Sequence, residues 1–270
     1  MSFSHLRWRL RKARADRADR GGRSFTYTHR SAGRFLYHPS DWISRRMFLY
    51  GDFEGTELRF AREHSAPGAL VLDVGANIGL YTVTCARAVG TDGAVIAVEP
   101  GPNTFTKLTT TCARLGLSNV ELVNAAAGPV NGVGRLVTSA ASHDVHQHLA
   151  DARTDAATAT TPVTVVRLDD LCGDRAGTVA LMKMDVEGHE VGALAGAERI
   201  LANGHVALVI EFLASALSAA ESSSAELWTL LSRTHRCTGV ITQDSSMLPP
   251  NQANVLGRGD EPFNTFWLPN

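Results

Sequence analysis

The chain has 270 residues, 44% of them hydrophobic and 20% charged, with a net charge of −1. This is globular composition, sufficient for one large domain or two small ones, and a core of this size needs no disulfides. No run of about twenty apolar residues occurs, which excludes a membrane-spanning helix. The cysteines, Cys85, Cys112, Cys172 and Cys237, show neither C-x-x-C nor zinc-finger spacing, and Cys85 and Cys112 read as buried thiols in helical patterns.

The N-terminus is rich in arginine and lacks an apolar h-region, so no secretory signal is expected and the protein reads as cytoplasmic. Residues 7–23, "RWRLRKARADRADRGGR", hold eight basic residues against Asp16 and Asp19. Such a segment can dock on nucleic acid, an acidic partner or a membrane surface. Trp8 is the only aromatic residue there, so the expectation is a solvated helical arm over 1–23 that frays or packs on the body, with no nucleic-acid partner. Residues 24–68 read as a helical or mixed cap, in which "FTYTHRSAGRFLYHPSDW" begins with a small hairpin.

From Ala69 the pattern becomes regular. "ALVLDVG" (69–75) is a buried strand ended by glycine, and "NIGLYTVTCARAV" then places Ile78, Val83, Ala86 and Val89 at helical spacing, closed by Gly90. "AVIAVEP" (94–100) is a second strand stopped by Pro100, followed by a helix over 103–116 with Asn103 as N-cap and Gly116 at its end. "VELVNAAAG" (120–128) is a third strand. Two short strands follow, "VGRLVTS" and "VTVVRLDD", joined by "SHDVHQHLADARTDAATATTP". His143, His146 and His148 in that joining piece lack a partner cysteine or carboxylate cluster at helical spacing, so a mobile acceptor loop over 138–162 is expected. "TVALMKMD" (178–185) and "HVALVIEF" (205–212) are the fourth and fifth strands, with one helix between them on Val191, Leu194, Ala197 and Leu201. A helix at 224–234 precedes "TGVITQ" (238–243) and "NTFWLP" (264–269), read as an antiparallel hairpin added to the sheet edge.

Alternating strands and helices imply right-handed βαβ crossovers and a sheet covered on both faces. Near-continuous apolar strands agree with this. The fold class is α/β, a mostly parallel Rossmann-like sheet over 69–270 behind an N-terminal cap segment.

In such a sheet, ligands bind outside the carboxyl ends of the strands, where strand order reverses. "DVGANIG" supplies Asp73, Gly75, Asn77 and Gly79 at that place, and its glycines permit close approach of backbone to ligand. Glu99, followed by Pro100 at the end of the second strand, suits a pair of ribose hydroxyls, because a carboxylate can accept both. Asn124 ends the third strand, where its side chain or the following backbone can meet an adenine; otherwise it caps the strand. The loop is not G-x-G-x-x-G, and an acid in it repels a pyrophosphate but suits an ammonium. S-adenosylmethionine, which carries an ammonium, a sulfonium and no phosphate, fits better than a dinucleotide.

Taken together, "VLDVGANIGLYTV", "VIAVEPGPNTF", "NVELVNAAAG", "VVRLDDL", "LMKMDVEGHEVGALAGAERIL" and "VALVIEF" resemble the FkbM family of S-adenosylmethionine-dependent methyltransferases. The similarity covers roughly residues 41–215 in the family's order and includes "GDFEGTE" at 51–57. It implies a class I methyltransferase fold, typically of seven strands, and usually O-methylation of a sugar or natural-product hydroxyl. The implied partner is a small hydroxylated acceptor, a glycoside or secondary metabolite of natural product biosynthesis. A homo-oligomer is compatible with the sequence.

Candidate bases cluster at the ends of strands four and five: Asp185, Glu187 and His189 in "KMDVEGHE" (183–190), and Glu211. If the chain stays extended past Asp185, residues 185, 187 and 189 point to one side. Asp185 and His189 then orient and deprotonate the acceptor. An alternative places Mg2+ on Asp185 with Glu211 as a further ligand. A third makes the cluster structural, with Glu187 and above all Glu190 opposing the dipole of the next helix. Lys183 pairs with one of these acids or carries a strand-edge charge. Two rival functions use the same sheet: an NAD(P)-dependent oxidoreductase, and a non-catalytic S-adenosylmethionine-binding partner protein.

Overall fold

The computed structural model describes residues 3–51, 53–137, 149 and 159–270. Helix α1 (Phe3–Gly21) packs on the body: Ala15 and Ala18 are buried against Tyr37 and Phe48. Strands β1 (Phe25–His29) and β2 (Gly33–Tyr37) form the expected antiparallel hairpin, with Phe25 opposite Tyr37 and their rings stacked at 4.6 Å. Helix α2 (Trp42–Tyr50) begins where the Asp41 side chain accepts the Ser44 N–H at 2.7 Å, and α3 (Gly55–Glu63) follows. Arg45 of α2 donates to Asp16 and Asp19, the latter at 2.6 Å, clamping the arginine-rich arm to the cap.

The central sheet starts with β3 (Leu70–Val74), α4 (Leu80–Val89), β4 (Ala94–Val98), α5 (Pro102–Leu115) and β5 (Val120–Val123). All five residues of β3 are buried, as a strand covered on both faces requires. Helix α5 is capped by Gly101, not by Asn103 as the sequence reading has it; Pro102 takes the first helical position, where its missing N–H costs nothing.

The third predicted strand breaks at Asn124, whose amide donates to the carbonyls of Glu99 (2.8 Å) and Pro100 (3.0 Å). The chain then leaves the main sheet. Strands β6 (Ala126–Ala127), β7 (Gly132–Val137) and β8 (Thr160–Val166) form a three-stranded sheet in the order β6–β8–β7. Apart from Leu149 and residues 159–162, the expected acceptor loop at 138–162 lies outside the described residues, and its three histidines with it.

Helix α6 (Leu168–Cys172) returns the chain to β9 (Val179–Met184), followed by α7 (Glu190–Ala195), α8 (Glu198–Leu201) and β10 (Ala207–Phe212). Sequence periodicity predicts one helix where α7 and α8 stand. The Asp169 carboxylate splits it by capping α8, accepting from Arg199 N–H (2.9 Å) and Ile200 N–H (3.1 Å). The C-terminal part adds α9 (Ala214–Ala219), α10 (Ser224–Leu231), β11 (His235–Ile241), β12 (Met247–Leu248), α11 (Gln252–Leu256) and β13 (Phe263–Pro269).

Among the described residues the main sheet has eight strands, ordered β12–β11–β13–β10–β9–β3–β4–β5. The strands from β10 to β5 are mutually parallel. β13 runs antiparallel to both its neighbours. The expected C-terminal hairpin therefore pairs as predicted, but its second strand enters the sheet between β10 and β11. Burial explains the order: Phe266 and Trp267 of β13 are 4% and 0% exposed, and Thr265 Oγ1 donates to the Ile210 carbonyl of β10. From β3 the chain moves outward to β4 and β5, then crosses to β9 on the other side of β3. Strand order reverses at β3 and β9, and their carboxyl ends frame the crevice.

Candidate active site

Gly75 leaves β3 with φ +74, and a Cβ there would stand 1.7 Å from the Asp185 carbonyl oxygen. The first loop and the "KMDVEGHE" stretch therefore meet backbone to backbone, an approach that a side chain would block. Lys183, at the end of β9, ties them together. Its Nζ donates to the Gly75 carbonyl at 2.8 Å and lies 3.5 Å from Asp185 and 3.9 Å from Asp73. Burial alone would lower the Lys183 pKa, but Asp185, Asp73, Glu54 and Glu211 together raise it, so the ammonium is held.

Asp73 is 1% exposed and accepts from Thr82 Oγ1. Burial raises its pKa against the pull of Lys183. It underpins the loop and lines neither of the two cavities above it. Gly79 likewise serves the turn: it opens α4 with φ +97, and a Cβ would press on Leu108.

The smaller cavity lies over β3 and β4 and is lined by Gly75, Asn77, Glu99, Pro100, Ala125 and His189 among others. Each Glu99 oxygen takes one backbone N–H, from Asn77 and Gly101, both at 2.9 Å. Burial nevertheless pushes Glu99 up to about 7. Asn124 itself holds the backbone around Glu99, and it is Ala125, Ala126 and Ala127 that reach the cavity wall.

The larger cleft, of roughly 1060 Å³, opens on the other side of the loop. Asp185, Glu187 and Glu211 line it, facing Trp42 and Phe53 from the cap and Phe263 from β13. Asn77, Asp185 and Glu187 line both cavities and so mark the junction between them.

The chain does not stay extended past Asp185, which corrects the expected alternation of 185, 187 and 189. It turns at Glu187 (φ +53) and Gly188 (φ +96). The Glu190 carboxylate fixes that turn by accepting the N–H groups of Val186 (3.0 Å) and Gly188 (3.3 Å). His189 is thereby carried to the smaller cavity alone, with Nε2 donating to the Leu149 carbonyl at 3.0 Å.

Electrostatics separate the acids further. Burial, then Asp185 and Glu190, push Glu187 up to about 8. Burial, Asp185 and Glu187 push Glu211 well above the ordinary carboxylate range. Lys183 is the cation that the Asp185–Glu211 pair already has, and among the described residues no group of three or more His, Cys, Asp or Glu side chains is placed to hold a metal ion. The magnesium expectation gains no support.

Sequence reasoning missed the cap's contribution: Trp42, Phe53, Glu54 and Glu57, together with Tyr81 of α4, form much of the cleft wall. "GDFEGTE" entered only as part of a resemblance, because a short segment with two acids has no periodicity that reveals where it points.

A model of the methyltransferase FkbM domain matches residues 73–238, more than half of the chain. The chain belongs to the FkbM methyltransferase family. This is the S-adenosylmethionine-dependent family that its motifs resemble, and the oxidoreductase alternative falls with the match. The sequence matches no curated protein.

Solved structures similar to this FkbM methyltransferase include an S-adenosylmethionine-dependent methyltransferase from Aquifex aeolicus, at 16% identity, covering 80% of this chain and 93% of that one, TM-score 0.45. Another is an rRNA methylase from Streptococcus thermophilus, at 15% identity, covering 81% and 96%, TM-score 0.48. A third is the methyltransferase FkbM from Methylobacillus flagellatus KT, at 18% identity, covering 83% of this chain and 55% of that one, TM-score 0.47. No helix of the described residues is long and apolar enough to cross a membrane.

Proposed function

We propose that the enzyme O-methylates a hydroxyl of a small glycoside or secondary metabolite, with the adenosyl group of the methyl donor in the smaller cavity and the acceptor in the larger cleft. The observation that carries this reading is the junction: Asp185 lines both cavities, so one carboxylate can stand beside donor and acceptor at once. The residues present fit S-adenosylmethionine. Glu99 has lone pairs left for a ribose diol, and the loop offers no three-glycine cradle for a pyrophosphate.

When bound, the donor supplies an electrophilic methyl on a sulfonium. The chain's own task is to place the acceptor oxygen and remove its proton. Asp185 takes that proton, oriented by Lys183 at 3.5 Å, and at neutral pH Glu187 and Glu211 hold their own protons and donate hydrogen bonds to acceptor oxygens. Aromatic side chains of the wall, Trp42 and Phe53, offer apolar faces to a ring. His189 stays on the donor side, steadying the contact with Leu149.

The test is incubation of the purified protein with S-adenosylmethionine and a panel of hydroxylated acceptors, read as a mass gain of one methyl. Asp185→Asn should then lower kcat by about 10²–10⁴-fold. His189→Ala should act mainly on donor affinity. Wild-type turnover in Asp185→Asn would remove the assigned role. Tight donor binding with no transfer to any acceptor would favour the non-catalytic reading.

A further inference from the structure

The sequence reading makes Asp73 the natural partner of a ligand ammonium, yet Asp73 is buried under the loop beside Lys183. A different acid, half-buried, lines the cleft next to that loop. Glu54 sits at the N-terminus of α3 in the left-handed region (φ 53, ψ 38), and its side chain makes no capping hydrogen bond to the helix. A non-glycine residue held there costs about 1–3 kcal/mol, which the surroundings must enforce. Glu54 lines the wall of the large cleft, which Ala76, Asn77 and Ile78 of the first loop also line.

The Tyr81 hydroxyl provides the second observation. Tyr81 is 4% exposed, lines the same corner, and its hydroxyl stands beside Glu54 without a hydrogen bond of normal geometry. Burial and the neighbouring Glu57 push Glu54 up to about 7, the behaviour of an acid short of a cation. Lys183, the cation nearest to hand, is engaged with Gly75, Asp185 and Asp73.

We infer that the Glu54 carboxylate, with the Tyr81 hydroxyl beside it, binds the ammonium of the methyl donor's amino-acid tail. This rests on the reading of the loop as an S-adenosylmethionine site and adds what that reading lacks, a counter-ion for the end of the ligand remote from the ribose. The adenosyl group is placed by Glu99 and the loop, and the tail leaves it through the junction at Asn77 toward α3. Glu54 is thus a donor-binding residue supplied by the cap, outside the strand-end motifs.

The test is calorimetry on the full chain with two probes: S-adenosylhomocysteine, which keeps the tail, and 5′-methylthioadenosine, which keeps the nucleoside and thioether but lacks it. Glu54→Gln should weaken S-adenosylhomocysteine by about 10- to 100-fold, the usual loss for a charge-assisted hydrogen bond, and leave methylthioadenosine unchanged. Tyr81→Phe should show the same selectivity with a smaller loss. Unchanged S-adenosylhomocysteine affinity in Glu54→Gln overturns the inference, as does weaker binding of an amine-bearing acceptor alone. Equal weakening of both probes makes Glu54 structural and also overturns it. If the wild-type chain binds neither probe, the donor site itself is wrong, and the inference goes with it.

Discussion

At the carboxyl ends of β3 and β9 the acids share one buried ammonium, whereas carboxyls crowd the wall of the large cleft. Lys183 serves Asp73, Asp185 and the Gly75 carbonyl at one compact point. Around the cleft, burial drives Glu54 up to about 7 and Glu187 up to about 8, and also raises Glu211 well above the ordinary carboxylate range. The floor is finished when the chain folds. The wall keeps an energetic cost that a ligand can relieve, and perturbed acids of this kind gather at sites that bind and react. Removing a floor residue should therefore damage the fold, while altering a wall residue should change binding and pH response.

The largest expected effect tests the floor. Lys183→Met leaves Asp73 buried without its cation, and breaking a buried pair in this way costs about 3–5 kcal/mol. The urea midpoint of unfolding is the measurement, and a loss under about 1 kcal/mol would show that Lys183 is a ligand-facing group instead. Gly75→Ala should come next. Its φ of +74 and the 1.7 Å approach to Asp185 force a backbone shift, at a cost of at least about 1–3 kcal/mol. The shift also displaces Asp185, so S-adenosylhomocysteine affinity should fall with stability. A stable variant with full affinity would separate the two loops.

The same contrast governs what the sequence revealed. Strand ends β3, β4, β9 and β10 were legible because strands buried on both faces leave unbroken apolar runs, with Gly75 and Pro100 marking where the first two stop and acidic residues closing the others. Gly75, Glu99 and Asp185 followed from that pattern. The break after Asn124 and the split between α7 and α8 were not legible, because single side chains cause them: Asn124 on the Glu99 carbonyl and Asp169 on the amides of α8. The turn at Glu187 and Gly188 was hidden for a related reason, since the Glu190 carboxylate that fixes it looks in sequence like one more acid of a cluster. Glu54 escaped because its position depends on how the cap folds over the sheet, and no local signal carries that.

A smaller effect tests the wall. Glu187 has an ordinary value of 4.5 and is pushed up to about 8 in the folded protein, and Glu54 up to about 7. A carboxyl raised by folding binds its proton more tightly in the native state. Its stabilisation is therefore complete below the unfolded value and is lost as pH rises through the folded one. Tm of the ligand-free protein should fall between about pH 5 and pH 8, and Glu187→Gln should flatten the fall while leaving the low-pH Tm in place. A Tm that rises over that interval would contradict the raised acids.

The smallest expected effect asks how far the contrast extends beyond the site. Helix α1 lies on α2, and α2 supplies Trp42 and Arg46 to the cleft, so the arm stands one layer behind the wall. Arg45 joins those helices through Asp16 and Asp19, but its side chain is 28% exposed, and ion pairs at such positions give about 0–1 kcal/mol and weaken with salt. The apolar contacts of Ala15 and Ala18 with Tyr37 and Phe48 remain when that pair is cut. Arg45→Ala should therefore cost less than about 1 kcal/mol, fade at high ionic strength, and leave S-adenosylhomocysteine affinity unchanged. A loss of donor affinity would mean instead that α1 holds Glu54 in place through the cap, making the arginine-rich arm part of the wall.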